Sequence, residues 1–148
     1  MNTKSENDRS WTNWVGNQSF SPEEITRAGT EPQVVAAVAE AAHDGRKIRT
    51  FGSGHSFSPV VETSGVLLDM SPLTGITSVN REKRLVTAWA STPISAFGDP
   101  LWDEGLALSN QGDIDSQTIA GAISTATHGS GMQFGSFSSA LQAARLVD

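Results

Sequence analysis

Between residues 31 and 44 the apolar positions Val34, Val38 and Ala41 recur at the spacing of a single helix face. Thr30 and Gln33 stand at capping-box spacing, and Pro32 falls in the first turn, where a missing N–H is harmless. Gly45 suits the position after the last turn, and Arg46 and Lys47 complement the negative end of the helix dipole. The period then changes. Lys47–Phe51 is a short strand candidate, and Gly65–Asp69 carries the continuous apolar run of a buried strand. Helix, strand, loop and strand in that order predict a small α/β layer with a parallel sheet.

Beyond this layer, Ile76–Asn80 and Arg84–Ala88 predict a hairpin around the polar turn Arg81-Glu82-Lys83. Thr92-Pro93 opens a second helix with Ile94, Phe97 and Leu101 on one face and Gly105 at its end. Residues 109–117 are rich in turn formers, Thr118–Thr125 are small and apolar, and Ala140–Asp148 have the pattern of a further strand. Residues 1–10 are polar and expected to be disordered, which leaves 11–148 as the domain. Trp11 and Trp14, so near a terminus, are expected to be buried.

Composition narrows the chemistry. A chain of 148 residues suits one core. A net charge of -6 with scattered basic residues argues against nucleic acid, because phosphate binding needs clustered Lys and Arg. The absence of cysteine excludes disulfides, thiolate metal sites and cysteine nucleophiles. No metal site is expected. The first twenty residues hold no apolar signal core, and no run approaches transmembrane length, so the expected location is cytoplasmic.

Two segments carry candidate chemistry. Arg49-Thr50-Phe51-Gly52-Ser53-Gly54-His55-Ser56 leaves a strand and sets two glycines among hydroxyls. Such a turn can present successive N–H groups to an anion such as a pyrophosphate, and it also fits a tight surface turn. It matches neither the P-loop nor the dinucleotide fingerprint. Gly112-Asp113-Ile114-Asp115-Ser116-Gln117-Thr118-Ile119-Ala120-Gly121, continuing to His128, is dense in small residues and hydroxyls. A helix start built of such residues can press on a flat ligand and offer it amides, and it can equally pack against another helix. A hydrolase built on His55 and Ser56 is disfavoured, since no nucleophile elbow is present.

Gly52-Ser53-Gly54-His55-Ser56, then Gly105-Leu106-Ala107-Leu108-Ser109-Asn110, then Gly121-Ala122-Ile123-Ser124-Thr125-Ala126-Thr127-His128-Gly129 resemble the FAD-binding (PCMH-type) domain of the sugar-lactone oxidases. That group includes L-gulonolactone and D-arabinonolactone oxidases and their alditol oxidase relatives, within the vanillyl-alcohol oxidase superfamily. The Trp11-Thr12-Asn13-Trp14 start is similar to theirs, so the resemblance runs from about residue 11 to the end.

The resemblance implies an α+β, two-lobed fold. A small α/β lobe with short parallel strands is followed by an incomplete second lobe of mainly antiparallel strands plus helices. It implies FAD bonded covalently through His55 at the flavin 8α-methyl, a position where a neutral imidazole is a competent nucleophile. Without cysteine, a second covalent link is impossible. Arg49, Phe51, Gly52, Ser53, Gly54, His55 and Ser56 would cradle the pyrophosphate, although Arg49 could simply cap its strand. Asp113, Thr118, Gly121, Ser124, Thr125, Ala126, Thr127 and His128 would line the cofactor, with a structural role for His128 equally open. Gly112 matches an oxygen gate, which implies an oxidase that makes hydrogen peroxide. The expected substrate is a sugar-1,4-lactone, with a polyol or a non-catalytic FAD-binding fragment as alternatives. The family's enzymes are longer, so the chain is expected to be an amino-terminal fragment lacking the substrate domain, with an exposed sheet edge prone to self-association.

Overall fold

A computed structural model describes residues 9–148, so most of the segment expected to be disordered lies outside the described residues. Arg9 is placed, with its guanidinium donating to the Glu23 carbonyl at 2.7 Å. The chain forms two units, one of residues up to Met70 with Val147–Asp148 and the other of Ser71–Leu146.

In the first unit, β1 (Trp11–Thr12) pairs antiparallel with β2 (Ser19–Phe20). β3 (Glu24–Arg27), α1 (Glu31–His43), β4 (Ile48–Phe51) and β5 (Val66–Asp69) follow. The three longer strands make a parallel sheet in the order β3-β5-β4, so β3 and β4 each pair on one side only. The apolar run predicted the central strand: Val66, Leu67 and Leu68 are buried. Gly65 has a steric reason. A Cβ there would stand 2.2 Å from the Lys47 carbonyl oxygen, which accepts the Val66 N–H at 2.8 Å. β3 escaped prediction because its pattern is inverted, with Ile25 exposed while Glu24 and Thr26 are half-buried.

The α1 caps hold as expected, with one change. The Thr30 hydroxyl accepts the Gln33 N–H, but the Gln33 side chain reaches back to the N–H of Gly29 rather than that of Thr30. At the other end Gly45 adopts φ +66°, Arg46 N–H donates to Ala41 O and Gly45 N–H to Ala42 O, a Schellman cap.

In the second unit, β6 (Ile76–Asn80) and β7 (Leu85–Ala88) form the expected hairpin, bulged near Ile76. The predicted helix after Thr92-Pro93 is instead a 3-10 turn over Ile94–Phe97, and only α2 (Gly98–Asp103) is α-helical. Pro100 explains the split. It has no N–H to bond back to Ala96, and its ring crowds that carbonyl, so α geometry begins only where proline sits in a first turn. α2 ends at Gly105 (φ +68°) in a second Schellman cap. α3 (Ile119–Ser124) follows, then a 3-10 turn over Phe137–Ala140. Ile94, Ala122 and Phe137 form a buried cluster, with Leu108, Ile119 and Ile123 against it.

Ala140–Asp148 is not the strand its pattern predicted. No strand is formed beyond residue 140, and residues 141–146 are exposed. A run of apolar residues does not make a strand without a neighbouring ladder to satisfy its N–H and C=O groups.

Candidate functional site

The Gly52–Ser56 loop leaves the end of β4 and turns at Gly54, whose φ is +69°. The turn is held by the segment before it. Trp14 N–H donates to Gly54 O at 3.0 Å, and Asn13 Nδ2 donates to Ser56 O at 3.1 Å. Gln18 Nε2 donates to Phe57 O. A Cβ on Gly54 would lie 3.1 Å from the Trp11 ring and 3.5 Å from the Asn13 Cα. That glycine therefore admits the Trp11 indole, where the sequence pattern had pointed to a bound anion. Trp11 also packs on Phe20 (centroids 5.2 Å) and edge-on to Phe51 (6.0 Å).

The His55 imidazole is half-buried, and the Trp14 indole stacks on it with centroids 4.9 Å apart and planes 23° apart. Trp14 is not buried as expected. It is 65% exposed, because only one face is covered. The buried member of the motif is Asn13, at 5% exposed. Its Oδ1 accepts from Gln18 N–H, and its Nδ2 also reaches Asn17 Oδ1 at 2.7 Å. Sequence reasoning passed over Asn13; the signal was a lone amide between two tryptophans.

Two of the loop's predicted polar groups are engaged locally. The Ser56 hydroxyl closes a turn with Ser58, accepting its N–H at 3.2 Å and donating to its carbonyl at 3.1 Å. Arg49 is exposed and donates to Val60 O at 2.9 Å, which matches the strand-capping alternative. Ser53 is exposed, and Gly52 is half-buried.

In the second unit the amides at the start of the helix, expected to face a flat ligand or to pack, are already bonded within the chain. Ile119 N–H donates to Thr92 O, Ala120 N–H to Ala90 O, Gly121 N–H to the Thr118 hydroxyl and Ala122 N–H to Thr118 O. The first three are first-turn amides that would otherwise be free to meet a ligand, and the fourth is the first bond within the helix itself. Thr118 is thus the N-cap of α3. Gly121 is packed against it, with a Cβ there meeting the Thr118 hydroxyl oxygen at 3.0 Å.

The C-terminal end of α3 is different. Ala126 takes φ +53°, and Thr127 N–H donates to Ala122 O at 3.0 Å. This is a Schellman cap with alanine where α1 and α2 use glycine, so the turn stores strain. It leaves Ser124, Thr125 and Ala126 exposed. The Thr125 hydroxyl donates to Gly121 O at 2.9 Å, and Gln117 Nε2 donates to the Thr127 hydroxyl at 3.3 Å. Gln117 Oε1 is buried with no hydrogen-bond partner. His128 is exposed, and its Nδ1–H donates to Gly129 O at 2.8 Å. Asp113 is exposed. Gly112 lies beside this turn, since a Cβ on it would be 3.2 Å from Thr127 Cγ2 and 3.7 Å from His128 O. Gly129 matters as much, although no separate role was expected of it. A Cβ there would be 2.2 Å from Gln111 O and 2.4 Å from Asn110 Oδ1.

Residues 22–148 match the family described as FAD binding domain. The chain belongs to that family. It is 40% identical over 137 residues to L-gulono-1,4-lactone dehydrogenase of Mycobacterium tuberculosis, covering 93% of this chain and 32% of the relative. It is 35% identical to D-arabinono-1,4-lactone oxidase of Eremothecium gossypii (86% and 25%) and 31% identical to L-gulonolactone oxidase of mouse (83% and 28%). The chain therefore spans about a third or less of the length of these curated relatives. In fold it is similar to cholesterol oxidase from Brevibacterium sterolicum, with a TM-score of 0.72 at 24% identity, over 82% of this chain and 24% of that one. The mixed architecture of one parallel sheet and antiparallel pairs is the FAD-binding fold that the motifs implied.

The residues fit a flavin dinucleotide in chemistry. One loop presents a half-buried imidazole on a glycine-serine turn, and the other presents an exposed rim of hydroxyls at Ser124 and Thr125 beside a strained Ala126. The buried, unpartnered Gln117 Oε1 marks the second segment as polar inside as well as at its rim.

Proposed function

We propose that this chain is the FAD-holding part of a flavoprotein that oxidises a hydroxyl of a sugar-1,4-lactone, with FAD bonded to His55 and dioxygen reduced to hydrogen peroxide. The observation that carries the proposal is the His55 imidazole on its glycine-serine loop, stacked on Trp14, in a chain that belongs to the FAD-binding family. Bound FAD supplies a two-electron acceptor for the hydride of the alcohol carbon.

The chain's own contribution is to hold that acceptor. The Gly52–Ser56 backbone meets the pyrophosphate, His55 provides the nitrogen of the covalent link, and Ser124–His128 line the flavin. Substrate names among the relatives support a lactone, and no residue of this chain is assigned a role on the substrate. The test is acid precipitation of the full chain made in flavin-replete cells. Flavin absorbance that stays with the pellet, and that His55→Ala releases, is the expected result. Colour lost from the parent on denaturation refutes covalent attachment, and a colourless protein refutes FAD holding.

A dehydrogenase is the second reading, favoured by the name of the 40%-identical relative. The two differ at Gly112, proposed as the opening through which dioxygen reaches reduced flavin. Gly112→Ala puts a methyl 3.2 Å from Thr127 Cγ2 and is expected to slow reoxidation by oxygen. Reoxidation at the parent rate removes the gate, and a parent chain whose reduced flavin ignores oxygen favours the dehydrogenase.

A further inference from the structure

Trp14 stands largely exposed against the His55 ring. It is 65% exposed, yet its indole lies nearly parallel to the His55 ring at 4.9 Å between centroids. The contact is also enforced from the backbone. Trp14 N–H donates to Gly54 O, the residue before His55, at 3.0 Å, and buried Asn13 ties the same segment to Ser56 O, the residue after it. Gly16, at φ +76°, turns the chain back toward β2, and its N–H donates to Asn13 O at 3.0 Å. Residues 11–20 thus form a strap across the loop, with one aromatic face set on the imidazole.

We propose that Trp14 is a positioning residue for covalent flavin attachment, fixing the plane of the His55 imidazole and stabilising the positive charge that ring acquires as it is alkylated. The inference rests on the covalent reading above. In the attachment, the lone pair of one imidazole nitrogen forms the bond to the 8α-methyl carbon. The methyl gives up one hydrogen, and the other imidazole nitrogen gives up its proton. The two electrons released leave on dioxygen, which becomes hydrogen peroxide. Until its proton departs the ring is an imidazolium, and a cation over an indole face within about 6 Å of the centroid is stabilised by the ring quadrupole. Trp14 meets that geometry and touches neither the bond that forms nor the one that breaks.

The experiment compares the full chain with Trp14→Phe and Trp14→Leu, each loaded with FAD as apoprotein. Three quantities are followed: reversible FAD affinity, the rate at which flavin becomes acid-stable, and the NMR shifts of the His55 ring protons in the apoprotein. In Trp14→Leu, acid-stable flavin is expected to form about two- to fivefold more slowly, the kinetic equivalent of about 0.5–1 kcal/mol of exposed cation–π stabilisation. The His55 ring protons lose their indole ring-current shift, and reversible affinity stays within twofold. Trp14→Phe recovers most of the rate.

A purely structural role for Trp14 would lower affinity and rate together, and that result overturns the inference. So does a Trp14→Leu chain that incorporates flavin at the parent rate, while the parent's own acid-stable flavin keeps the covalent reading standing. A parent chain that never forms acid-stable flavin overturns the covalent reading and takes this inference with it.

Discussion

Three helices of this chain end in the same Schellman geometry, and the residue at the left-handed position differs: Gly45 after α1, Gly105 after α2 and Ala126 after α3. This gives a prediction with a change of sign. A Cβ in the left-handed region costs an L-residue about 1–2 kcal/mol. Replacing glycine by alanine also narrows the unfolded ensemble, which returns about 0.4–1 kcal/mol. The net is about 1 kcal/mol in favour of glycine. No steric term complicates the two glycines, because a Cβ on Gly45 or Gly105 meets nothing within 4 Å. Gly45→Ala and Gly105→Ala are therefore expected to destabilise by about 1 kcal/mol each, and Ala126→Gly to stabilise by about the same. For a chain of this size that is about 2–4 °C in melting temperature. Urea unfolding with an unchanged slope and a displaced midpoint isolates the effect. Gly105 and Ala126 share no hydrogen-bond partner, so the double variant Gly105→Ala with Ala126→Gly returns close to parent stability. An Ala126→Gly chain that melts at or below the parent temperature refutes the claim that this turn is strained.

The remaining predictions concern the core, the ion pairs and the second loop. Leu67→Ala, at a fully buried position in the central strand, is expected to cost about 2–5 kcal/mol by calorimetry or urea unfolding. The Thr26 hydroxyl and then the Arg46 guanidinium hold the Glu24 carboxyl below its ordinary pKa, so its contribution is present above the unfolded pKa and is lost as pH falls through the lower folded one. Arg46→Met should flatten that acid limb of a melting-temperature profile, lowering stability at neutral pH and converging on the parent as pH falls through the folded pKa. Gly129→Ala drives a methyl into Gln111 O and is expected to destabilise by about 1–3 kcal/mol and to weaken FAD retention, measured by dialysis of the loaded chain.

The first unit was legible in the sequence wherever one period dominated. Val34 and Ala41 mark the buried face of α1, and the run at Val66–Leu68 marks the strand between two neighbours. It was illegible where tertiary context set the pattern. β3 holds Glu24 and Thr26 half-buried, and Arg46 pairs with the Glu24 carboxylate at 2.7 Å. Neither residue signals a strand by itself. The two-residue strands β1 and β2 are too short to show any period, and they exist because Trp11 and Phe20 pack across them. The 3-10 turn before α2 depended on one proline, whose effect on the preceding carbonyl outweighed a correctly spaced apolar face.

The candidate site shows a subtler difference between motif and structure. Small residues dense in a motif suggest space for a ligand, yet here most of the missing Cβ positions face other parts of the chain. Gly54 faces Trp11, Gly112 faces Thr127, Gly129 faces Gln111 and Gly121 faces Thr118. The hydroxyls of Ser56 and Thr118 likewise close turns and cap a helix. Such a motif specifies the walls before it specifies the contents: glycines let two loop segments approach closely, and local hydrogen bonds fix the turns. A substitution at one of these glycines should then act on cofactor retention by moving a wall, with a loss of stability alongside it. A change at His55 should act on attachment with little loss of stability, since its ring is half-buried on a loop whose turn is fixed by the backbone and by Asn13. Measuring both quantities for Gly129→Ala and His55→Ala separates the residues that build the site from the one proposed to react in it.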